Sequence, residues 1–216
     1  MDMTSIFSEL FATFWFLIPL LMIAALLKSG WFKGVFGEFT VNIILKFSLP
    51  KEKYILLKNI TFPTEDGTTQ IDHVVVSKFG VFVIETKNMK GWIFGSINQK
   101  QWTQKIFKHS NKFQNPIHQN YKHLKTLEKA LSLPLKNLYS VIAFVGESTF
   151  KTKMPPNVVV PMTLIKYIKS KKEIVFTDKK VKDICEEINA NKLTRGIKTD
   201  MDHINHVKEI LKSKNG

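Results

Sequence analysis

The stretch QIDHVVVSKFGVFVIETK, residues 70–87, decides the fold that the sequence predicts. Both halves are rich in β-branched and aromatic residues, which is typical of strands, and Ser-Lys-Phe-Gly between them is typical of a hairpin turn. With the turn centred on residues 78 and 79, Asp72 lies opposite Glu85 and Gln70 lies opposite Lys87. The valines between these pairs then share the same face of the sheet. The sequence therefore predicts a hairpin whose buried apolar row ends in charged side chains.

Like charges at opposed positions destabilise an antiparallel sheet, so the expected pair of Asp72 and Glu85 indicates a cation between them. Carboxylate oxygens suit Mg²⁺ or Mn²⁺, which bind one or two carboxylates together with water and phosphate oxygens. Lys87, on the same face, could orient an attacking water or stabilise charge on a phosphate. Glu-x-Lys alone is also typical of a solvated strand edge. The adjoining apolar row favours the metal site, the chemistry of a metal-dependent nuclease.

Further motifs follow this hairpin in a fixed order, and together they resemble the nuclease-related domain family, known as NERD. They are TQIDHVVVS (69–77), GVFVIETKN (80–88), KG (90–91), WTQ (102–104) and NPIHQN (115–120) with His123. The resemblance covers about residues 34–145. The family is similar in fold to the restriction-endonuclease-like PD-(D/E)xK superfamily, whose signature matches Asp72, Glu85 and Lys87.

The resemblance implies an α/β fold with a restriction-endonuclease-like core of helix, three-strand β-meander, helix and strand. It also implies hydrolysis of phosphodiester bonds with Mg²⁺ or Mn²⁺, in which Asp72 and Glu85 bind the metal and Lys87 is catalytic. Glu38 matches an auxiliary glutamate of the superfamily and is a further candidate metal ligand, although a solvated helix residue is the alternative. The supporting candidates are Gln70, Gln104 and Gln119. His123 shares a helix face with Gln119, and a polar exposed role for it is equally compatible with the sequence.

Residues 10–27 contain no charged side chain and reach the minimum length of a membrane span. The sequence therefore predicts an anchor over residues 1–33 with one transmembrane helix, which Pro19 would kink. Lys28 and Lys33 follow the apolar run, so the positive-inside rule places the N-terminus outside the cell membrane and the remaining chain in the cytoplasm. A cleaved signal peptide is disfavoured because residues 1–9 lack Lys and Arg. A buried core helix is disfavoured because the segment is apolar all round.

The chain carries a formal net charge of +14, which indicates a polyanionic partner. No Asp or Glu lies between Lys87 and Leu127. The lysines expected to bind nucleic acid are Lys90, Lys100, Lys105, Lys108, Lys112 and Lys122. Arg195 is the single arginine of the sequence, so DNA should be bound through its phosphates with low sequence specificity. Anionic lipid is the alternative partner of this basic surface. The interleaved aromatic residues suit base stacking, but most of them are expected in the core.

The other predicted elements fit one domain over residues 34–216, with its motif core at 34–145 and a helical extension at 146–216. Helices are expected at 34–47, at 116–131 after the N-cap Asn115, and near 163–169, 178–189 and 200–212. Strands are expected at 53–60 and 138–145, with an edge strand at 158–160. Residues 91–97, with or without Trp102, are expected to form a strand or an irregular extension. Thr177 and Thr199 are predicted N-caps of the last two helices. Cys185 is expected to pack in a helix, and His203 and His206 are expected at the surface.

These observations support a membrane-anchored, Mg²⁺-dependent nuclease that hydrolyses DNA with low sequence specificity. The first alternative is a non-catalytic, membrane-tethered module that binds nucleic acid or protein on the same fold. The second alternative is a scaffold that faces lipid. The sequence contains no Walker-type phosphate loop and no Gly-x-Ser-x-Gly motif, so neither nucleotide hydrolysis nor acyl chemistry is indicated.

Overall fold

The structure of the chain is a computed structural model that describes residues 3–65 and 67–193 of 216. The predicted helix at 200–212 lies outside the described residues, as do Thr199, His203 and His206. Within them the helices are α1 (Met3–Phe14), α2 (Leu17–Lys28), α3 (Gly30–Ser48), α4 (Pro116–Leu131), α5 (Pro161–Ser170) and α6 (Asp178–Asn191). The strands are β1 (Tyr54–Thr64), β2 (Gly67–Ser77), β3 (Gly80–Lys87), β4 (Gly91–Phe94), β5 (Gln101–Ile106), β6 (His109–Gln114), β7 (Leu138–Phe144), β8 (Ser148–Phe150) and β9 (Val158–Val159).

The N-terminal apolar segment differs from the prediction, because a continuous helix over residues 10–27 is not observed. The chain breaks between α1 and α2, where the Trp15 carbonyl accepts from Ile18 N at 3.2 Å. Pro19 has no N–H to donate to that carbonyl, and it is tolerated in the first turn of α2, where helical N–H groups have no partner within the helix. Among the described residues no single helix is long and apolar enough to cross a bilayer. Together α2 and α3 reach that length and composition, with a bend of 61° between them.

A five-stranded sheet with the order β1-β2-β3-β7-β9 contains the predicted hairpin. Val74 pairs with Val83 and Val76 with Val81, which confirms the expected register over the valines. The ladder of β2 and β3 ends at His73 and Ile84, so it does not include the expected pairs of Asp72 with Glu85 and of Gln70 with Lys87. Strand β7 lies parallel to β3, with Glu85 next to Ile142. The order helix, three antiparallel strands, helix and parallel strand is compatible with the restriction-endonuclease-like core. The short strand β9 lies at the edge of the sheet, as predicted.

Helices cover both faces of this sheet because both faces of its strands are apolar. On one face Val74 and Val83 pack with Leu127 of α4 and Ile184 of α6. On the other face α3 and α5 pack against residues that alternate with these. The core is therefore a helix–sheet–helix sandwich, and Cys185 of α6 is buried in it, as predicted.

A second sheet with the order β6-β5-β4-β8 was not predicted, since the sequence suggested only one strand or an irregular extension there. Residues 101–114 form the hairpin of β5 and β6, and the strand expected at 91–97 ends at Phe94. One face of this sheet packs Ile93 and Trp102 against Phe144 of β7. The second sheet therefore packs against the end of the first sheet.

Helix α4 begins where the sequence placed it. The Asn115 side chain accepts from Ile117 N, and Pro116 is the first helical residue. The amide nitrogen of Asn115 donates to the carbonyls of residues 96, 97 and 99 at 3.2, 3.1 and 2.7 Å. The same residue thus starts α4 and fixes the loop between β4 and β5. The predicted N-cap Thr177 also accepts from the backbone of α6, at Lys180 N.

Candidate active site

Glu85 is a buried carboxylate at the end of the apolar run of β3, with 3% of its surface exposed. Its Oε1 accepts from Lys87 Nζ at 2.7 Å, and its Oε2 lies 3.2 Å from His123 Nε2. Burial on its own would raise the pKa of Glu85, but the charge of Lys87 and the hydrogen bond of His123 together hold that pKa below its ordinary value. The site therefore keeps a buried carboxylate ionised.

Helix α4 supplies contacts to Lys87 and Glu85, because Gln119 and His123 lie one turn apart on the face of α4 toward β3. Lys87 Nζ also donates to Gln119 Oε1 at 2.9 Å. His123 Nδ1 lies 2.9 Å from the hydroxyl of Thr69 on β2. A continuous chain of polar contacts thus runs from Thr69 through His123, Glu85 and Lys87 to Gln119. The sequence left the role of His123 open and gave Thr69 no role beyond its place in a family motif.

Asp72 is half-buried on β2, and its Oδ2 accepts from the backbone N–H of Thr86 at 2.8 Å. Since Thr86 lies between Glu85 and Lys87, this bond fixes Asp72 against the Glu-x-Lys segment. Burial raises the pKa of Asp72 well above its ordinary value, and the negative charges of Glu85 and then Glu38 raise it further. The structure therefore brings Glu85 and Glu38 within electrostatic reach of Asp72.

Helix α3 approaches the end of β3 closely at Gly37. A Cβ at this position would lie 2.7 Å from Asn88 Cβ, so a larger residue does not fit without movement. The Asn88 side chain also donates to the carbonyl of Lys33 at 2.8 Å. Glu38 follows Gly37 directly, and this close packing explains how its charge reaches Asp72.

The donor chemistry of this site fits a hard divalent cation. Asp72, Glu85 and Glu38 provide the carboxylate oxygens that Mg²⁺ and Mn²⁺ prefer. Burial, and then repulsion from Glu85 and Glu38, raises the pKa of Asp72, and a bound cation would relieve this repulsion. Among the described residues, however, no three His, Cys, Asp or Glu side chains are arranged as a ready metal-binding group. The protein instead contacts both oxygens of Glu85 through Lys87 and His123.

The other two supporting candidates lie away from this chain of contacts. Gln104 Nε2 donates to the carbonyl of Lys90 at 2.8 Å, which ties β5 to the segment after β3. Gln70 is half-buried on β2 opposite Thr61. Asn120, to which sequence analysis assigned no role beyond its place in a family motif, donates to the carbonyls of residues 83 and 141 at 2.9 and 3.3 Å and joins α4 to the sheet. These residues position elements around the site.

The six lysines expected to bind nucleic acid are all exposed. Five lie on or beside the second sheet, and one lies on α4: Lys90, Lys100, Lys105, Lys108, Lys112 and Lys122. The aromatic residues among them divide differently from the prediction. Trp102 is fully buried, Phe113 packs against the core and Phe94 is half-buried. Trp92, Phe107 and Tyr121 are 48%, 93% and 54% exposed, so half of these six rings lie at the surface.

Comparison with known proteins agrees with the motifs. The sequence pattern of the nuclease-related domain matches residues 33–145, just over half of the chain. An uncharacterized protein of Bacillus anthracis, pXO1-01, is 50% identical over 113 residues, which are 52% of this chain and 52% of that protein. The chain thus matches about half the length of this relative. No solved structure matches the chain. With the signature residues gathered at the end of β3 and the family pattern across them, the chain belongs to the nuclease-related domain (NERD) family, which is of the PD-(D/E)xK kind.

Proposed function

We propose that the protein is a Mg²⁺- or Mn²⁺-dependent nuclease that hydrolyses phosphodiester bonds of DNA. The observation that carries this proposal is the buried Glu85 carboxylate, kept ionised between Lys87 and His123 beside the half-buried Asp72. Burying a charge is costly, so a site of this kind is common where chemistry requires it. Membership in a nuclease-related family supports this reaction class.

The residues of the chain divide the work between binding and positioning. Asp72 and Glu85 would hold the divalent cation, with Glu38 as the auxiliary ligand. When bound, the cation would polarise the scissile phosphate and lower the pKa of the attacking water. Lys87 places its ammonium group between Glu85 and Gln119, where it can stabilise negative charge that develops on the phosphate. Asp72 is held in place by Thr86 N–H, so the binding oxygens are ordered before substrate arrives.

DNA is the proposed substrate because exposed lysines lie on and beside the second sheet, which follows β3 in the chain, and no acidic residue interrupts them between Lys87 and Leu127. Lysine binds phosphate as a point charge, whereas bidentate arginine contacts read guanine. Cleavage should accordingly show low sequence specificity and weaken as salt concentration rises.

We further propose that the N-terminal helices hold the protein at the cell membrane. No residue of α2 is buried, and its large exposed apolar side chains are Ile18, Leu20, Leu21, Met22, Ile23, Leu26 and Leu27. Such a surface favours lipid contact. Lys28 and Lys33 at the following end would keep the nuclease-like domain in the cytoplasm and the N-terminus outside.

One observation favours a second candidate, a membrane-tethered module that binds nucleic acid or protein without cleaving DNA. Both oxygens of Glu85 are engaged by Lys87 and His123, and the described residues offer no ready group of three metal-ligating side chains. In this candidate the polar chain would only stabilise the fold. The two candidates differ in whether new DNA ends appear in the presence of a metal ion.

The test is incubation of the full chain in detergent with linear, circular and single-stranded DNA in Mg²⁺, Mn²⁺ or EDTA. Glu85→Gln keeps the size of the side chain and removes its charge, and it should lower the cleavage rate on the order of 10³-fold. The matched control is Glu128→Gln on α4, a partly exposed glutamate paired with Lys125, which should cleave like the parent. Metal-dependent cleavage at the parent rate by Glu85→Gln would refute the assigned site. DNA binding without cleavage by all three proteins would favour the binding module.

A further inference from the structure

Along the strands of the second sheet, side chains on its outer face alternate with side chains on its buried face. On β4, Ile93 is fully buried, whereas its neighbours Trp92 and Phe94 are 48% exposed and half-buried. The buried tryptophan of this sheet, Trp102, packs on the opposite face against Phe144. The packing of the sheet is thus complete without Trp92, and an aromatic ring with half its surface in solvent is not explained by folding.

Cross-strand pairing places cations and aromatic rings in rows on this outer face. Trp92 pairs with Lys105, and Phe94 pairs with Thr103, which in turn pairs with Lys112. Lys151, just beyond β8, places its Nζ 4.6 Å from the centre of the Trp92 ring. Two aromatic side chains about 7 Å apart along β4 are therefore flanked by lysines on both sides.

A groove of about 1050 Å³ continues this face at the start of β5. Phe94 and Phe113 contribute aromatic surface to it, and its cations are Lys100, Lys112 and Lys153. None of the described residues that line the groove is acidic. Charge complementarity consequently indicates a polyanion as the occupant.

The position of the sheet connects this face to the candidate active site. Strand β4 begins four residues after Lys87, and β8 follows β7 in the same way. Backbone bonds join the two exits, from Val145 N to the Lys87 carbonyl at 3.0 Å and from Gly91 N to the Glu147 carbonyl at 2.9 Å. A polyanionic strand bound on the outer face would therefore extend from the end of β3, where the candidate active site lies.

We propose that the outer face of the second sheet binds single-stranded DNA, with bases stacked on Trp92 and Phe94. Lys105, Lys112 and Lys151 contact the phosphates of the same strand. Exposed aromatic residues among lysines on a sheet suit unpaired bases, whose faces are open, whereas the bases of a duplex are already stacked on one another. This inference rests on the proposed function in one respect: it gives that nuclease a substrate with a single-stranded segment next to the cut.

The test measures binding by the full chain in detergent and EDTA, so that no cleavage is required. Fluorescence anisotropy would compare a labelled 20-nucleotide oligo-dT with a hairpin duplex of equal charge. Trp92→Ala should weaken oligo-dT binding about tenfold and duplex binding less than twofold, while Trp92→Phe should restore most of the loss. Lys112→Gln should weaken both ligands and reduce the dependence on salt.

The matched control is Phe47→Ala on α3. Phe47 is also an exposed ring, 79% exposed, with a lysine, Lys46, 5.9 Å from its centre, but it lies outside the second sheet. This variant should bind oligo-dT like the parent. Thermal unfolding followed by circular dichroism would check that each variant is folded.

Equal binding of oligo-dT by the parent and Trp92→Ala would overturn the proposal, as would an equal loss for oligo-dT and duplex. Displacement of oligo-dT by anionic phosphatidylserine in mixed detergent micelles at equal ionic strength, with binding of this lipid also weakened in Trp92→Ala, would overturn it in favour of a lipid-binding face. If Trp92→Ala loses oligo-dT binding but keeps duplex binding, both measured in EDTA, the proposal is supported even when the parent shows no cleavage in Mg²⁺. Failure of the nuclease is therefore distinguishable from failure of this face.

Discussion

In both sheets of this protein side chains alternate between the two faces, but the two sheets differ in what covers those faces. Helices cover both faces of the five-stranded sheet. The charged side chains of Asp72 and Glu85 lie where its apolar rows end. Among the described residues, the four-stranded sheet packs one face on the core and leaves lysines and Trp92 exposed on the other. Residues of one type therefore differ in role according to what covers them. Reaction chemistry is proposed for the covered sheet and substrate binding for the open one.

The two tryptophans of the four-stranded sheet give the largest test of this comparison. Trp102 is fully buried against Phe144 and donates from Nε1 to the Ser96 carbonyl at 2.9 Å, so Trp102→Ala should destabilise the protein by about 4 kcal/mol. Trp92→Ala should cost about 0.5 kcal/mol, since it removes only a partly exposed ring and its contact with Lys151. Urea unfolding followed by circular dichroism measures both. Similar losses would show that the outer face is part of the core.

The ion pair at the end of the five-stranded sheet should be the next most sensitive feature. Lys87→Met leaves the buried Glu85 charge without its main partner and should lower the free energy of unfolding by about 3 kcal/mol. The control Lys129→Met breaks a pair with Glu65 whose side chains are 80% and 86% exposed, and it should produce no measurable change. Urea unfolding of both variants gives the comparison. Equal stabilities would mean that water reaches Glu85 in solution.

Two glycines of α3 should respond to alanine with opposite signs. Gly37→Ala places a Cβ 2.7 Å from Asn88 Cβ and should destabilise by about 1 kcal/mol, because the clash outweighs the gain in helix propensity. Gly34 has no neighbouring atom within 4 Å, so Gly34→Ala should stabilise by up to about 1 kcal/mol. Thermal unfolding measures both. Stabilisation by both variants would show that α3 does not pack closely on the end of β3.

The smallest test changes no residue and probes whether α6 stays closed over the five-stranded sheet. Burial, and then the charge of Glu186, raises the pKa of the Cys185 thiol to about 11. At pH 8 iodoacetamide should label the folded protein about 100-fold more slowly than the protein in urea, because the thiolate is the reactive form. Labelling should accelerate as pH rises toward 11. Fast labelling at pH 8 without urea would indicate that α6 opens readily. Mass spectrometry of the labelled peptide gives the rate.

Local rules were sufficient where neighbouring residues decide the structure. The register of β2 and β3 followed from a turn signal and an unbroken run of strand-forming residues, and α4 followed from Asn115 and Pro116. The break before Pro19 was missed because hydropathy alone reads residues 10–27 as one continuous apolar segment. The hairpin of β5 and β6 was missed because its polar, lysine-rich residues have weak strand preference, and pairing between neighbouring strands decides such cases.

The candidate site likewise has a part that the local sequence predicts and a part that depends on tertiary packing. The register alone predicted that Asp72, Glu85 and Lys87 would be close together, since three residues on two paired strands have little freedom. The contacts of His123 with Glu85 and Thr69 depend on how α4 packs across the sheet, and no local pattern fixes that packing. The exposure of Trp92 likewise depends on the absence of a covering element over its sheet among the described residues.

The sequence by itself determined the family, the signature residues, the basic charge and the strands that carry Asp72 and Glu85, because these follow from residue type and short-range order. Only the tertiary structure decided which charges are buried, that His123 holds Glu85, and that one face of the second sheet stays open. The physical reason is that burial is a property of what packs above a residue. Two neighbours in the sequence, such as Trp92 and Ile93, can therefore end in water and in the core.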